Sequence, residues 1–274
     1  MRRTVLAFAI AFGSLAGGAA AAPCWRDGGA VVVSAALGDI AGDFILDLSS
    51  PLSLLHDTAA QGAGLEGSAT RAPLRIAGRR LDRASFQIGD LDARTRDLPT
   101  NTSGVIGADL LKSYAIELAS LPCRFALGRR PAGRRGRRLP LRLVDGVPAV
   151  EAEITDGSAV LVGWFALDTS ADAVRLTPRI AALPPPDGRR HAAPRLAALV
   201  LGGDIFQNLP ARLDPTLPPG LLGAIGEAVW ARYDMRADLR RRELTLLAAS
   251  SARRSARSAG SWRKPGPRRS PDRP

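Results

Sequence analysis

Lysine is almost missing from this 274-residue chain: of 38 basic residues only Lys112 and Lys264 are lysines. Histidine and cysteine occur twice each, as His56 and His191 and as Cys24 and Cys123. That is too poor a ligand supply for a zinc site, so no metal is expected. No Gly-x-Ser-x-Gly elbow is present, which removes the usual strand-to-helix signature of a serine hydrolase. No motif implies a cofactor. The apolar run Val5 to Leu15 falls short of the roughly 20 residues that a membrane span needs.

What the chain does have is arginine, unevenly placed. The formal net charge is +12. Eight basic residues lie beyond residue 249, six arginines crowd the stretch 128–138, and Arg2 and Arg3 open the chain. The remainder is close to neutral. A basic surface for nucleic acid would put its charge on the folded body, so no nucleic-acid partner is expected. Arg2 and Arg3, the apolar run and the small residues Ala19 to Ala22 form a secretory leader pattern, with cleavage expected after Ala21. The rival reading, an uncleaved anchor, suits the short run less well, and no span is expected after cleavage. The destination is then the periplasm or the medium. An even cysteine count in an exported chain predicts one disulfide, Cys24 to Cys123.

The expected organisation is a leader over 1–21, a first unit over 22–127, a solvated basic linker over 128–138, a second unit over 139–248 and a disordered basic tail over 249–274. Trp262 is the one aromatic of that tail. The two units echo one another. "GDFILDLSSPLSLL" (42–55) and "VGWFALDTSADAVRLTP" (162–178) each run from apolar residues to an aspartate, a small polar turn and an apolar restart. Further on, "SGVIGADLLKSYAIEL" (103–118) and "PGLLGAIGEAVWARYDMRADL" (219–239) each give glycine, aliphatics, glycine, a short helix and a returning strand. Apolar strands close both units. Alternation predicts hairpins around Ala77-Gly78 and Asp145-Gly146, with 195–206 as the second-unit counterpart of the former. Helices are expected over Ala108–Tyr114 and Ile225–Tyr233, with a turn near Leu54–Ala60.

These motifs resemble those of the retropepsin-like and pepsin-like aspartic proteases, in particular exported bacterial members with two lobes. Asp47-Leu48-Ser49-Ser50 and Asp168-Thr169-Ser170-Ala171 stand where the family has Asp-Thr-Gly followed by Ala or Ser. Val105-Ile106-Gly107 and Leu221-Leu222-Gly223 stand where it has two aliphatics and glycine. The resemblance covers 31–127 and 139–248. It implies a mainly β fold of two pseudo-symmetric β-barrel lobes with short helices, the aspartate turns facing one another, and a hairpin over the cleft, for which 70–85 is the candidate. It implies peptide hydrolysis by Asp47 and Asp168, one per lobe, with Ser49, Ser50, Thr169 and Ser170 supporting the turns. A peptide or protein is the expected substrate and a monomer the expected state.

The chemistry fits paired carboxylates. Two of them about 3 Å apart cannot both ionise easily, so they share a proton, and water held between them is activated without metal or covalent intermediate. The chain departs from the family at Leu48, which lacks the threonine hydroxyl that ties one turn to the other. It departs again at Ser49 and Ser170, which stand where glycine lets backbones meet. Ser50 retains a hydroxyl within reach of Asp47. These departures keep open a second function, a pseudo-protease that binds a peptide or protein partner without cutting it. A third is an envelope protein whose basic tail touches anionic surfaces. As ordinary structural residues we expect His56 (surface or helix cap), His191 (solvated loop), Tyr114 and Tyr233 (helix-end packing) and Trp164 (packing in its lobe).

Overall fold

The computed structural model describes residues 21–96, 98, 101–128, 136–155, 159–182 and 195–249. The expected leader, most of the expected linker, the tail with Trp262, and His191 lie outside these residues.

The first half of the chain forms strands β1 (Ala22–Asp27), β2 (Ala30–Leu37), β3 (Ile40–Leu46), β4 (Leu54–His56), β5 (Ala69–Ile76), β6 (Arg79–Gly89), β7 (Gly104–Ile106), β8 (Ala115–Ala119) and β9 (Arg124–Gly128). The second half repeats the order with β10 (Arg137–Val144), β11 (Val147–Thr155), β12 (Val160–Leu167), β13 (Val174–Leu176), β14 (Arg195–Leu201), β15 (Asp204–Leu213), β16 (Gly223–Ile225), β17 (Tyr233–Asp238) and β18 (Glu243–Ala248). Helices are short: α1 (Asp57–Gly62), α2 (Asp92–Thr95), α3 (Ala108–Leu111) and α4 (Glu227–Trp230).

Each half closes a six-stranded barrel. In the first the order is β2–β3–β7–β4–β6–β5 and back to β2. In the second it is β11–β12–β16–β13–β15–β14 and back to β11. Among the described residues, closure gives every barrel strand a partner on both sides. A third sheet, ordered β1–β9–β8–β17–β18–β10, ties the lobes together. At its centre β8 and β17 pair antiparallel across the two halves, Ile116 opposite Ala237. The fold is therefore mainly β, with two pseudo-symmetric lobes.

Continuous apolar runs make this possible. In β2, Ala30 to Val33 are all buried, as a strand covered on both faces requires. Val31 and Val33 join the main core with Phe44, Leu46 and Phe86, while Ala30 joins a smaller cluster with Ile45, Leu91 and Val105. The Ala77-Gly78 and Asp145-Gly146 turns have positive φ at both residues, the type I′ geometry that matches strand twist. Cys24 in β1 and Cys123 ahead of β9 form the expected disulfide. It fastens the start of the first lobe to the sheet shared by both.

Four expectations change. The helices over Ala108–Tyr114 and Ile225–Tyr233 shrink to α3 and α4, because the chain must enter β8 at Ala115 and β17 at Tyr233 to build the shared sheet. Leu54–His56 is a strand, with α1 following it. Arg137 and Arg138 are not linker: they pair with Leu246 and Thr245 of β18. The 70–85 hairpin is part of the wall of the first barrel rather than a separate cover: β5 pairs with β2, Ile76 opposite Ala35 and Leu74 opposite Leu37, β6 pairs with β4, Gln87 opposite Leu54, and the turn residue Ala77 packs in the main core.

Candidate active site

Asp47 and Asp168 follow β3 and β12, and each is fastened by the strand beside it. Asp47 N donates to Ile106 O and Asp168 N donates to Ile225 O, both at 3.0 Å. The turns that follow are packed against glycine. A Cβ on Gly107 would lie 2.5 Å from Leu52 O, and one on Gly226 would lie 2.5–2.7 Å from the carbonyls of Ala171, Asp172 and Ala173. Ala108 N then donates to Ser50 O and Glu227 N to Ala171 O, both at 2.8 Å. The structural counterpart of Val105-Ile106-Gly107 is thus Ala224-Ile225-Gly226, three residues beyond the expected Leu221-Leu222-Gly223. Register decides this: Leu46 pairs with Ile106 and Leu167 with Ile225, whereas Gly223 pairs with Phe165 as Gly104 does with Phe44.

The carboxylates are buried, 1% exposed at Asp47 and 0% at Asp168, and every oxygen has a donor. Asp47 Oδ1 accepts from Ser49 N at 2.7 Å and Ser49 Oγ at 2.6 Å. Asp168 Oδ1 accepts from Ser170 N and Ser170 Oγ, both at 2.8 Å. The serines that replace glycine therefore fold back onto their own aspartates rather than separating the turns. Ser50 does not do so; its hydroxyl donates to Leu52 O at 2.7 Å. Thr169 crosses between lobes, donating from Oγ1 to Leu46 O at 2.6 Å and accepting from Leu48 N at 3.1 Å. Leu48 returns no such bond and is buried in the main core.

The remaining oxygens carry arginines. Arg94, from α2, pairs with Asp47 Oδ2. Arg175, from β13, donates from Nε to Asp168 Oδ2 at 2.6 Å, from Nη1 to Asp214 Oδ2 at 2.7 Å and from Nη2 to Ser49 Oγ at 2.7 Å. The last bond makes a continuous bridge, Asp47–Ser49–Arg175–Asp168, through which the two lobes bring their aspartates together. Asp214 is itself fixed by Thr216, whose N and Oγ1 donate to Oδ1 at 2.8 and 2.6 Å.

Charge and burial compete here. Burial alone would pull the Arg175 guanidinium down, but the charge of Asp168 and the bonds to Asp214 outweigh it and hold it above the ordinary value. Burial pushes Arg94 below its ordinary value, with Asp168 opposing and Arg175 adding to the effect. Arg94 feels the charge of Asp168 as well as touching Asp47. Its side chain is 31% exposed, that of Arg175 15%.

Sequence reasoning missed Arg94, Arg175 and Asp214. Arg175 left one signal, a charged residue in a three-residue strand flanked by buried Val174 and Leu176. His56 is buried rather than superficial and caps α1, accepting from Thr58 N; its Nδ1 lies 2.8 Å from Asp57 Oδ1 and its Nε2 lies 3.2 Å from Asp92 Oδ1. His56, Asp90 and Asp92 bring ligand-type atoms within 4.8 Å of one another. Tyr233 is buried and donates to Asp204 Oδ2 at 2.6 Å. Tyr114 packs against the main core. Trp164 packs against the cluster of Val147, Ala149, Ala166, Leu221 and Ala224, with Arg142 over its ring at 5.7 Å.

Two barrels joined by a shared six-stranded sheet, with an aspartate turn from each, are consistent with a pepsin-like two-lobed fold. Among solved structures, the chain is similar to the crystal structure of an aspartic proteinase from Irpex lacteus, with a TM-score of 0.53 and 13% identity over 84% of this chain and 97% of that one. At that identity the likeness is one of fold. No family model matches the chain, and no curated protein matches it.

Proposed function

We propose that the chain is an exported aspartic-type endopeptidase, with Asp47 and Asp168 as the catalytic pair. The observation that carries the reading is the pair itself: two buried carboxylates, one per lobe, on matching turns, each gripped on Oδ1 by the serine two residues on. The likeness to an aspartic proteinase supports it at the level of fold, and the disulfide suits an oxidising compartment. Among the described residues no helix is long and apolar enough to cross a membrane.

In the reaction, Arg94 leaves Asp47 and a water takes its place between the carboxylates. One carboxylate accepts a proton from that water as its oxygen bonds to the peptide carbonyl carbon. The other, protonated, donates to the carbonyl oxygen. Collapse of the resulting diol breaks the C–N bond, and the amine leaves with a proton from the pair. Ser49 and Ser170 hold the carboxylates in place throughout.

A second reading has its own observation. Arg175 sits on a strand and contacts Asp168 directly, and Leu48 supplies no return bond to Thr169. A pair neutralised in this way binds a peptide without hydrolysing it. The deciding experiment is digestion of a defined peptide library by the purified mature protein across pH 3–8, read by mass spectrometry. Cleavage that Asp47→Asn and Asp168→Asn each reduce by about 100-fold or more supports the peptidase. Binding with no cleavage at any pH supports the scaffold.

A further inference from the structure

Arg94 and Arg175 both pair with the aspartates, but they are held differently. Arg175 is built in: β13 is hydrogen-bonded to β15 on one side and β16 on the other, and the guanidinium has Asp168, Asp214 and Ser49 as partners. Arg94 projects from a four-residue helix with no side-chain N-cap bond and no buried residue of its own. The helix is moored through the preceding Leu91, which packs with Ala30, Ile45 and Val105, and through His56 to Asp92. Among the described contacts of the Arg94 side chain, Asp47 is the ion-pair partner. Arg94 is the arginine that can move, and any substrate reaching Asp47 must displace it.

Stripping a partner from a buried ion pair costs far more than exchanging that partner for another. A peptide that brings its own carboxylate gives Arg94 a replacement for Asp47 at the moment Asp47 is released. A neutral peptide leaves the guanidinium unpaired, and a basic one adds repulsion. We propose that Arg94 is the specificity-determining residue of this site and selects peptides with an acidic side chain close to the scissile bond. The inference rests on the peptidase reading for the cleavage step, but its binding step does not.

The test uses the full mature chain and peptides identical except for Glu, Gln or Lys, scanned through three positions either side of the scissile bond. Each is made in a cleavable form and with a non-cleavable hydroxyethylene isostere. At one position the Glu isostere should bind about tenfold or more tightly than the Gln one by titration calorimetry, and the gap should narrow as salt is added. Arg94→Gln should abolish the gap and Arg94→Glu should favour Lys. Equal binding of Glu and Gln isosteres at every position, or a preference that survives Arg94→Gln, overturns the proposal. Selective binding without cleavage upholds Arg94 while removing the peptidase reading, and cleavage without charge preference does the reverse. Failure of every isostere to bind overturns both.

Discussion

Thr169 reaches across to the other lobe and Leu48, its counterpart, does not reach back. The Thr169 hydroxyl serves both Leu46 O, at 2.6 Å, and Leu48 N, at 3.1 Å, so the threonine links the two aspartate turns from one side, beside the Ser49–Arg175 bond. Val31 N adds a backbone bond to Thr169 O at 2.8 Å. Thr169→Val keeps the shape but strands a buried carbonyl and a buried N–H. Each unpaired group costs about 1–3 kcal/mol, so the variant should lose about 2–6 kcal/mol in urea unfolding. Thr169→Ser keeps the hydroxyl and should lose only about 1 kcal/mol, the worth of one methyl. Equal losses in the two variants would mean that the hydroxyl contributes nothing.

The glycine that starts α4 should be as intolerant as the one that starts α3. An alanine at Gly226 meets three backbone carbonyls at 2.5–2.7 Å, and these belong to the turn carrying Asp168. Backbone cannot rotate aside as a side chain can, so Gly226→Ala should cost about 3 kcal/mol and reduce any activity by displacing the turn. Gly107→Ala should behave alike. Gly62, at the end of α1, has nothing within 4 Å of its Cβ position, and Gly62→Ala should be neutral or stabilising by about 0.5 kcal/mol. Thermal melts of the three variants check the order.

Gly226 also shows where the sequence became ambiguous. The segment Leu221–Gly226 offers two glycines three residues apart, each preceded by aliphatic residues, and only pairing with β12 identifies the one beside Asp168. The Gly104–Gly107 segment has the same Gly-x-Ile-Gly spacing, so the correct match was present in the sequence but outweighed by an earlier pair of leucines. The lobes, both aspartates, the two tight turns and the disulfide were legible because apolar runs, glycine at positive φ and paired cysteines constrain structure locally. Arg94 and Arg175 were not. In a chain this rich in arginine, composition cannot distinguish a buried guanidinium from a solvated one. What separates them is tertiary: β13 presents Arg175 to Asp168, and the β6–β7 connection carries Arg94 over Asp47. The hairpin over 69–89 was anticipated as a strand pair but not as barrel wall, because alternation gives the pairing within a hairpin and not the strands, here β2 and β4, that flank it.

The disulfide should be worth more to the protein than its single-bond count suggests. Cys24 and Cys123 are 99 residues apart, and closing a loop of that length restricts the unfolded chain by about 4.7 kcal/mol in the chain-entropy model. Replacing both cysteines by alanine should lower stability by about 3–5 kcal/mol. Reduction should do the same to the native protein. A denaturation midpoint unchanged by reductant would show that the shared sheet holds β1 without it.

Asp214 makes stability depend on acid in a predictable direction. Burial works to raise its pKa, yet the two bonds from Thr216 and the one from Arg175 prevail and hold it below the ordinary carboxylate value. In the unfolded chain it titrates near the usual value of about 3.9. Between the two values the unfolded chain binds more protons, so stability rises with pH there. The contribution is therefore complete above pH of about 4 and disappears as pH falls through the lower, folded value. Asp214→Asn cannot titrate and pairs less strongly with Arg175. Urea midpoints measured from pH 2 to pH 6 should show the variant weaker than wild type at the upper end, with the difference shrinking below pH of about 4. A difference that stays constant across that range would assign the cost to lost packing rather than to charge, and would separate Asp214 from the electrostatic support of Arg175 and hence of Asp168.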